Sequence, residues 1–240
     1  MIGRLKQAVR RQQWRPGWWG VLVNPYFLTR RALWRAMAEF APRLTGKVLD
    51  LGCGSQPYRG LFGNAQYVGM ELDTEQNRAA KPADVFYDGR TIPFADEWFD
   101  GLLCTQVLEH VPTPDGLLAE MRRVLRPGGL LLLTVPFVWE EHEKPWDFAR
   151  YTSFGVRDLL ERNGLDVVEQ HRTVPGGRAV VQLAAAAVAG RLRTGIPALN
   201  TLVCCLAVAP ITLLGMALDA VLPAGPDLYL DNVVLARRRG

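Results

Sequence analysis

The stretch VLDLGCGSQPYRG, Val48 to Gly60, decides how the rest of the chain is read. An apolar run ends in Asp50, and Gly52 and Gly54 then flank Cys53. Two glycines so placed let the backbone approach a ligand as closely as a Cβ would forbid. A dinucleotide fingerprint needs G-x-G-x-x-G, and its third glycine would fall on Pro57, which that pattern does not accept. The turn therefore asks for another ligand.

Strands and helices alternate outward from it. Lys47–Leu51 reads as a buried strand, Tyr67–Met70 as a second, Val85–Tyr87 as a short third and Phe99–Thr105 as a fourth. Leu130–Val135 is a fifth, entered through Arg126, Pro127, Gly128 and Gly129, and Leu165–Arg172 is a sixth. Thr113–Leu125 carries Leu117, Leu118, Met121 and Leu125 on one face, and Thr152–Asn163 is stopped by Gly164; both read as helices. Upstream, Asn24 is placed to cap a helix with Pro25 at its first position and Pro42 at its end. The alternation predicts an α/β fold with a doubly wound parallel sheet, whose ligand sits outside the carboxyl ends of the strands.

D-L-G-C-G, an Asp two residues before the first glycine, resembles motif I of the class I S-adenosylmethionine-dependent methyltransferases. YVGMELD resembles that family's second strand, with its terminal acid at Glu71. YDGRTIPFADEWFDGLLCTQVLEHV resembles the stretch with an acid near the adenine, an L-P-F-like tripeptide and a fourth strand ending in V-L-E-H. MRRVLRPGGLLLLTVP resembles the helix, turn and fifth strand that follow. The resemblance covers about Lys47 to Arg172 and is similar to the type 11 group that includes quinone O-methyltransferases. It implies a seven-stranded Rossmann-like sheet, with Leu228–Arg238 as a last, antiparallel strand, and S-adenosylmethionine as cofactor. Gln56 stands where the family has its third glycine, which eases the chain into the following helix, while Gly52 and Gly54 make the close approach.

The roles fit the chemistry of that cofactor. A carboxylate at the second strand end, Glu71 followed by Leu72, suits the ribose diol, with Asp73 as nearest competitor. Asp88, with Gly89 and Arg90, is placed to accept from the adenine amino group. Asp50, by resemblance, orders the Gly52-Cys53-Gly54 turn and the ammonium. Gln106 suits the methionine portion or the acceptor, or is an ordinary helix cap. After the fifth strand comes PFVWEEHEKPWDFARYT, where this fold usually builds its acceptor site. His142 is the candidate general base and His110 its rival, though His110 also suits a role orienting Glu109. Asp147, Arg150 and Tyr151 are candidates to position substrate or His142, and Trp139 and Trp146 to line the site; an ion-paired aromatic lid has the same composition. His171 reads as structural. No cluster with metal-ligand spacing is evident, so no metal is expected.

Charge narrows the partners. The net charge is +4, too small to argue for nucleic acid. Arg4, Lys6, Arg10, Arg11 and Arg15 nevertheless crowd the start, beside Trp14, Trp18 and Trp19, and Ile2, Leu5 and Val9 form a thin apolar stripe. That composition suits an interfacial anchor or a solvated tail. Cys53, Cys104, Cys204 and Cys205 lack CxxC spacing, and the start lacks a signal-like apolar core, so a reducing cytoplasm is expected.

The division expected is an extension and packing helix over 1–45, a core over 46–173, an insertion over 174–227 and a final strand over 228–240. The insertion holds AVVQLAAAAVAG and then an uncharged run from Thr194 to Leu218, which Pro197 and Pro210 should break or kink. About 25 residues suffice to cross a bilayer. Both ends of the insertion are expected beside the sheet's ligand edge, which excludes a single crossing and leaves a helical hairpin. Such a hairpin would dip into a leaflet, cover the acceptor pocket, form a homodimer interface or simply pack on the sheet edge. The reading is thus O-methylation of an apolar, lipid-linked, glycan or secondary-metabolite acceptor in the cytoplasm, with peripheral contact at the inner face of the membrane. The other classes in play are a NAD-dependent oxidoreductase and a non-catalytic cofactor-binding, membrane-associated protein.

Overall fold

The computed structural model describes residues 2–221 and 225–240, without the side chains of residues 2 and 4–6, so Ile2, Arg4, Leu5 and Lys6 of the N-terminal stripe and basic cluster lie outside the described side chains. The strands are β1 (Gly46–Leu51), β2 (Ala65–Leu72), β3 (Val85–Tyr87), β4 (Phe99–Thr105), β5 (Leu125–Pro136), β6 (Leu165–Arg172) and β7 (Asp231–Arg238). The helices are α1 (Ile2–Trp14), α2 (Phe27–Phe40), α3 (Glu75–Ala80), α4 (Pro114–Val124), α5 (Ser153–Arg162), α6 (Gly177–Arg191), α7 (Pro197–Val203) and α8 (Ala209–Val221). They form two compact units: Ala36–His171 with Asp231–Gly240, and Met1–Arg35 with Arg172–Leu230.

The first unit holds a seven-stranded sheet in the order β3-β2-β1-β4-β5-β7-β6. β1 pairs in parallel with β2 and β4, β4 with β5 and β2 with β3, whereas β7 runs antiparallel to β5. The order reverses between β1 and β4, so the carboxyl ends of these two strands open the crevice in which such sheets bind ligands. Leu49, Leu51, Leu102, Cys104, Leu131 and Leu133 join Leu118 and Met121 of α4 and Leu160 of α5 in one core, all essentially excluded from solvent. β5 starts earlier than its apolar run: Leu125 already pairs with Phe99, and the register shifts before Gly101 meets Leu130, which accommodates the extra residues of the Arg126–Gly129 turn as a bulge.

The second unit joins the N-terminal segment to the insertion. Asn24 Oδ1 accepts from the Tyr26 amide, 2.9 Å away, and its Nδ2 donates to the Gln12 carbonyl at 2.8 Å; the regular helix starts at Phe27, later than the Asn24-Pro25 pair suggests. The buried Gln182 of α6 accepts from Leu28 N at 2.9 Å and donates to the Pro25 carbonyl at 2.8 Å, so one amide side chain satisfies both backbone groups where α2 begins. Arg30 lies 4.1 Å over the Trp14 ring and Arg31 4.4 Å over Trp18, so two tryptophans of the N-terminal cluster are paired within the fold.

The insertion is a helical hairpin. Gly176 N donates to Leu228 O at 2.7 Å, Arg178 pairs with Asp219 at 2.7 Å, and Val181 of α6 packs where a Cβ on Gly215 of α8 would stand, 2.1 Å from its Cγ2. α7 and α8 run as one helix, Pro197–Val221, with a mean hydropathy of 2.3 over its most apolar stretch, long and apolar enough to cross a membrane. Pro210 does not break it. Residues Cys204–Val208 form a π-turn just before the proline, which widens the ladder where the ring would clash with the preceding carbonyl, while Pro197 occupies the first turn.

Candidate functional site

β1 is buried along its last four residues and delivers Asp50 to the carboxyl edge. The turn after it reverses sharply: Gly52 N and Cys53 N both donate to Met70 O of β2, at 2.9 and 3.1 Å. Gly52 has φ +71°, and a Cβ there would sit 2.4 Å from Val107 Cγ2. Gly54 has φ +53° with open space where its Cβ would be, so this is the side from which a ligand can reach the backbone. Gln56 also adopts a left-handed conformation, φ 55°, a strain of about 1–2 kcal/mol for a residue with a Cβ. Its side chain turns to the Pro82 carbonyl at 2.5 Å and accepts from Arg59 at 2.8 Å. The missing glycine is thus a backbone matter, offset by these bonds.

Two buried acids flank the turn. Asp50 accepts from the Tyr67 hydroxyl through Oδ2, while Oδ1 is buried without a hydrogen-bond partner. Burial pushes its carboxyl up to about 7; the Tyr67 bond opposes that shift and the neighbouring Glu71 adds to it. Glu71 Oε2 accepts from Gly54 N at 2.9 Å and lies 3.2 Å from Lys81 Nζ, and Oε1 accepts from Leu72 N at 3.0 Å. Asp73 is exposed and held in a two-pronged ion pair by Arg78, at 2.6 and 2.7 Å. Burial pushes the Cys53 thiol up to about 12, so it stays neutral at physiological pH.

The neighbouring strand ends complete the edge. Asp88 Oδ1 accepts from the Arg90 and Thr91 amides at 2.8 and 2.9 Å, which holds that carboxyl below its usual range. Gly89 has φ +79° and lies against Leu72, whose Cδ1 would be 2.9 Å from a Cβ there. Gln106, just past β4, has φ 54° and is fixed by its own amide to Thr134 O at 2.9 Å and by Nε2 to Thr134 Oγ1 at 3.2 Å. Strained backbone at a strand end of this kind is often kept for function.

The loop after β5 is braced from inside. Arg150 holds both oxygens of Asp147, at 2.5 and 2.7 Å, and donates to the carbonyls of Trp139, Glu140 and Ala149. These bonds hold the Asp147 carboxyl far below its ordinary value. Asp147 Oδ2 also accepts from His142 N at 2.8 Å and lies 3.4 Å from His142 Nδ1. Both side chains are spent on the loop and on His142. Tyr151 turns its hydroxyl to the Leu108 carbonyl at 3.5 Å, and Trp146 is exposed beside Phe148. The structure brings His110 and His142 together, ring centroids 4.8 Å apart and edge to face. His171 lies apart from them, pairing with Glu169 and packing on Phe40.

One residue beside them carries a signal that the sequence hides. Glu109 is completely buried, and neither carboxylate oxygen has a hydrogen-bond partner. Burial pushes its carboxyl up to about 8. The motif V-L-E-H places it next to His110, but only packing shows that its charge has nowhere to go.

A methyltransferase-domain family model matches residues 49–133. An uncharacterized methyltransferase of Mycobacterium leprae is 40% identical over 103 residues, covering 39% of this chain and 38% of its own. One of Mycolicibacterium gilvum is 38% identical over 147 residues, covering 57% and 56%. The chain thus spans between about two fifths and just over half the length of these relatives. Among solved structures, phosphoethanolamine N-methyltransferase 2 of Haemonchus contortus in complex with S-adenosyl-L-methionine aligns with a TM-score of 0.56 at 18% identity, over 98% of this chain and 57% of that one. The cyclase SpnF aligns with a TM-score of 0.51 at 19% identity, over 85% and 80%. These two likenesses concern the fold, and the second is a reminder that one fold hosts several chemistries. The strand order and the glycine turn are those of the Rossmann-like methyltransferase fold, and residues 49–133 match the methyltransferase domain of the S-adenosylmethionine-dependent enzymes.

Proposed function

We propose that this protein transfers the methyl group of S-adenosylmethionine to an oxygen of an apolar, lipid-linked or glycan acceptor. The observation that carries the reading is the glycine turn whose open Gly54 is tied to the buried Glu71, next to an Asp50 oxygen with no partner. These groups fit the cofactor. Glu71 Oε1 accepts one amide and keeps a second lone pair for a ribose hydroxyl, while Oε2 is shared between Gly54 N and Lys81 Nζ. The unpartnered Asp50 oxygen suits an ammonium, directly or through water, and the backbone of Gly52, Cys53 and Gly54 follows the methionine chain. Leu72 and Gly89 flank the adenine, with Asp88 and Arg90 at its edge. Gln106 faces the methionine portion or the acceptor. The bound cofactor supplies a methyl carbon already activated by its sulfonium. The chain's own contribution is mainly positioning, worth roughly 7 to 11 kcal/mol in well-oriented systems.

Acceptor binding falls to the loop after β5, with Trp139, Trp146, Arg150 and Tyr151 shaping it, and His142 or His110 receiving the acceptor proton, His142 being steered by Asp147. The N-terminal and insertion unit supports an acceptor drawn from a cytoplasmic membrane surface. Leu206, Leu214 and Val221 on its long helix are 70%, 63% and 76% exposed, and Trp18 in the same unit is 71% exposed. The exposed Arg191 and Arg193 at the hairpin bend argue against insertion tip first and for a helix lying in the interfacial plane.

Calorimetric titration with S-adenosylmethionine and with NAD tests the cofactor; binding of NAD alone would refute the reading. Labelled methyl donor incubated with fractionated lysate should mark a lipid, glycan or small-molecule pool. Flotation with anionic vesicles should carry the protein upward, and Leu206→Lys with Leu214→Lys should release it. A protein that never floats but dimerises through this face would refute the membrane reading.

A further inference from the structure

The buried carboxylate beside the two histidines is the least explained group in the sheet-bearing unit. Glu109 shows no exposed surface and neither oxygen has a hydrogen-bond partner; His110 Nε2 lies 4.0 Å from Oε1, too far for a bond. A buried carboxyl in that state is costly, and it is resolved by a proton or by a cation.

The histidines are already oriented for the second solution. His110 Nδ1 lies 2.6 Å from the Trp146 carbonyl, and His142 Nδ1 lies 3.1 Å from the Glu140 carbonyl and 3.4 Å from Asp147 Oδ2. A carbonyl can only accept, so both Nδ1 atoms carry the hydrogen, and in the neutral ring this leaves the Nε2 lone pair for a ligand. This is how metal-binding histidines are held, the far nitrogen donating to a carbonyl or carboxylate that fixes the ring. One oxygen of Glu109 and one ring nitrogen of each histidine lie within 4.8 Å of one another. Closing round an ion at about 2.0–2.2 Å needs shifts on the order of 1 Å. The other such group among the described residues, Glu39, Glu169 and His171, is more open, and its Glu169 is already paired with Arg43 at 2.6 Å.

We propose that Glu109, His110 and His142 form a binding site for one divalent transition-metal ion, with Asp147 and the Trp146 and Glu140 carbonyls as its outer support. Two imidazoles and one carboxylate suit zinc, iron(II) or cobalt(II), and leave coordination positions open. The inference rests on the reading that an acceptor hydroxyl docks over this loop and changes what the histidines do there. They are ligands rather than bases, and the ion raises the acidity of the hydroxyl so that its proton leaves to water.

The test uses the full chain, stripped with a chelator and titrated with cobalt(II), read by visible absorption and calorimetry, with S-adenosylmethionine titrated in parallel. One cobalt per chain is expected, displaced by zinc. Glu109→Gln and His142→Ala should each weaken binding by at least tenfold, and Asp147→Asn by about tenfold through ring orientation alone. S-adenosylmethionine affinity in each variant reports that the fold is intact, and His142→Ala, at a half-buried position, carries the test if Glu109→Gln does not fold. Absence of saturable cobalt binding, or binding that both ligand variants leave unchanged, overturns the site. Loss of cobalt binding with the methyl donor still bound leaves the methyltransferase reading standing, whereas cobalt binding without donor binding sinks that reading and keeps the metal.

Discussion

Glu71→Gln is the substitution that most directly examines the cofactor site. The native side chain is buried, and its two oxygens accept from two different amides, Gly54 N and Leu72 N. An amide has one acceptor oxygen, so Gln must turn its NH2 toward one of those N–H groups, and Lys81 loses its partner. Losing one charge-assisted bond is worth roughly 1.5–3 kcal/mol, so unfolding stability should fall by about 2 kcal/mol. Ribose recognition would lose one or two bonds of the same kind, a total of about 3 kcal/mol, which weakens S-adenosylmethionine binding about a hundredfold. The control is Asp73→Asn, which removes an exposed ion pair with Arg78 and should leave affinity within about threefold. Calorimetric titration at fixed pH measures both, alongside urea unfolding. If Glu71→Gln binds the donor nearly as well as the native chain while Asp73→Asn does not, the ribose assignment passes to Asp73 and the reasoning from burial fails.

Three further outcomes are expected. Burial holds Asp50 protonated up to about 7 in the folded chain, against an ordinary value of 3.8, so between those limits the folded state keeps a proton that the unfolded state releases. Stability should therefore fall as pH rises through that window, by up to about 1.4 kcal/mol per unit from this group, and level off above it. Asp50→Asn should remove that component, seen as the variant-minus-native difference in urea unfolding from pH 4.5 to 7.5; an identical slope in both would contradict it. Gln182→Ala strips the partners of Leu28 N and Pro25 O at a buried position and should cost about 2–4 kcal/mol, measured by denaturant midpoint; a loss under about 0.5 kcal/mol would show that water replaces the amide. Arg150→Lys keeps the charge but loses the two-pronged grip on Asp147, so methyl transfer should slow at least tenfold with donor affinity unchanged; equal loss of donor binding would place Arg150 at the cofactor instead.

The alternation of β1 to β5 with their helices was legible because each element is specified locally. Apolar strands need only a buried sheet, Gly52 and Gly54 mark a turn whatever surrounds them, and the acids at the ends of β2 and β3 follow from strand length. The boundaries drawn from pattern match β3, β4 and β6 residue for residue. They slip where pairing rather than pattern decides, as at Leu125, which joins β5 only because Phe99 lies opposite. Pro210 leaves the helix unbroken but distorted, because a proline's effect depends on whether the turn before it can widen, and the Cys204–Val208 π-turn supplies that room.

By itself the sequence determined the fold class, the glycine turn and the order of acids along the sheet edge, since these depend on near neighbours and on periodicity. Only the tertiary structure decided which polar groups lose water. It made Asp50 and Glu109 buried acids with unpartnered oxygens, and it spent Asp147 and Arg150 on each other. It brought His142 to His110 across more than thirty positions of chain. It also joined the first thirty-five residues to the insertion through Gln182, a residue that in the sequence is one polar letter in an alanine-rich run. Desolvation and long-range juxtaposition depend on how the whole chain packs, so no local pattern records them.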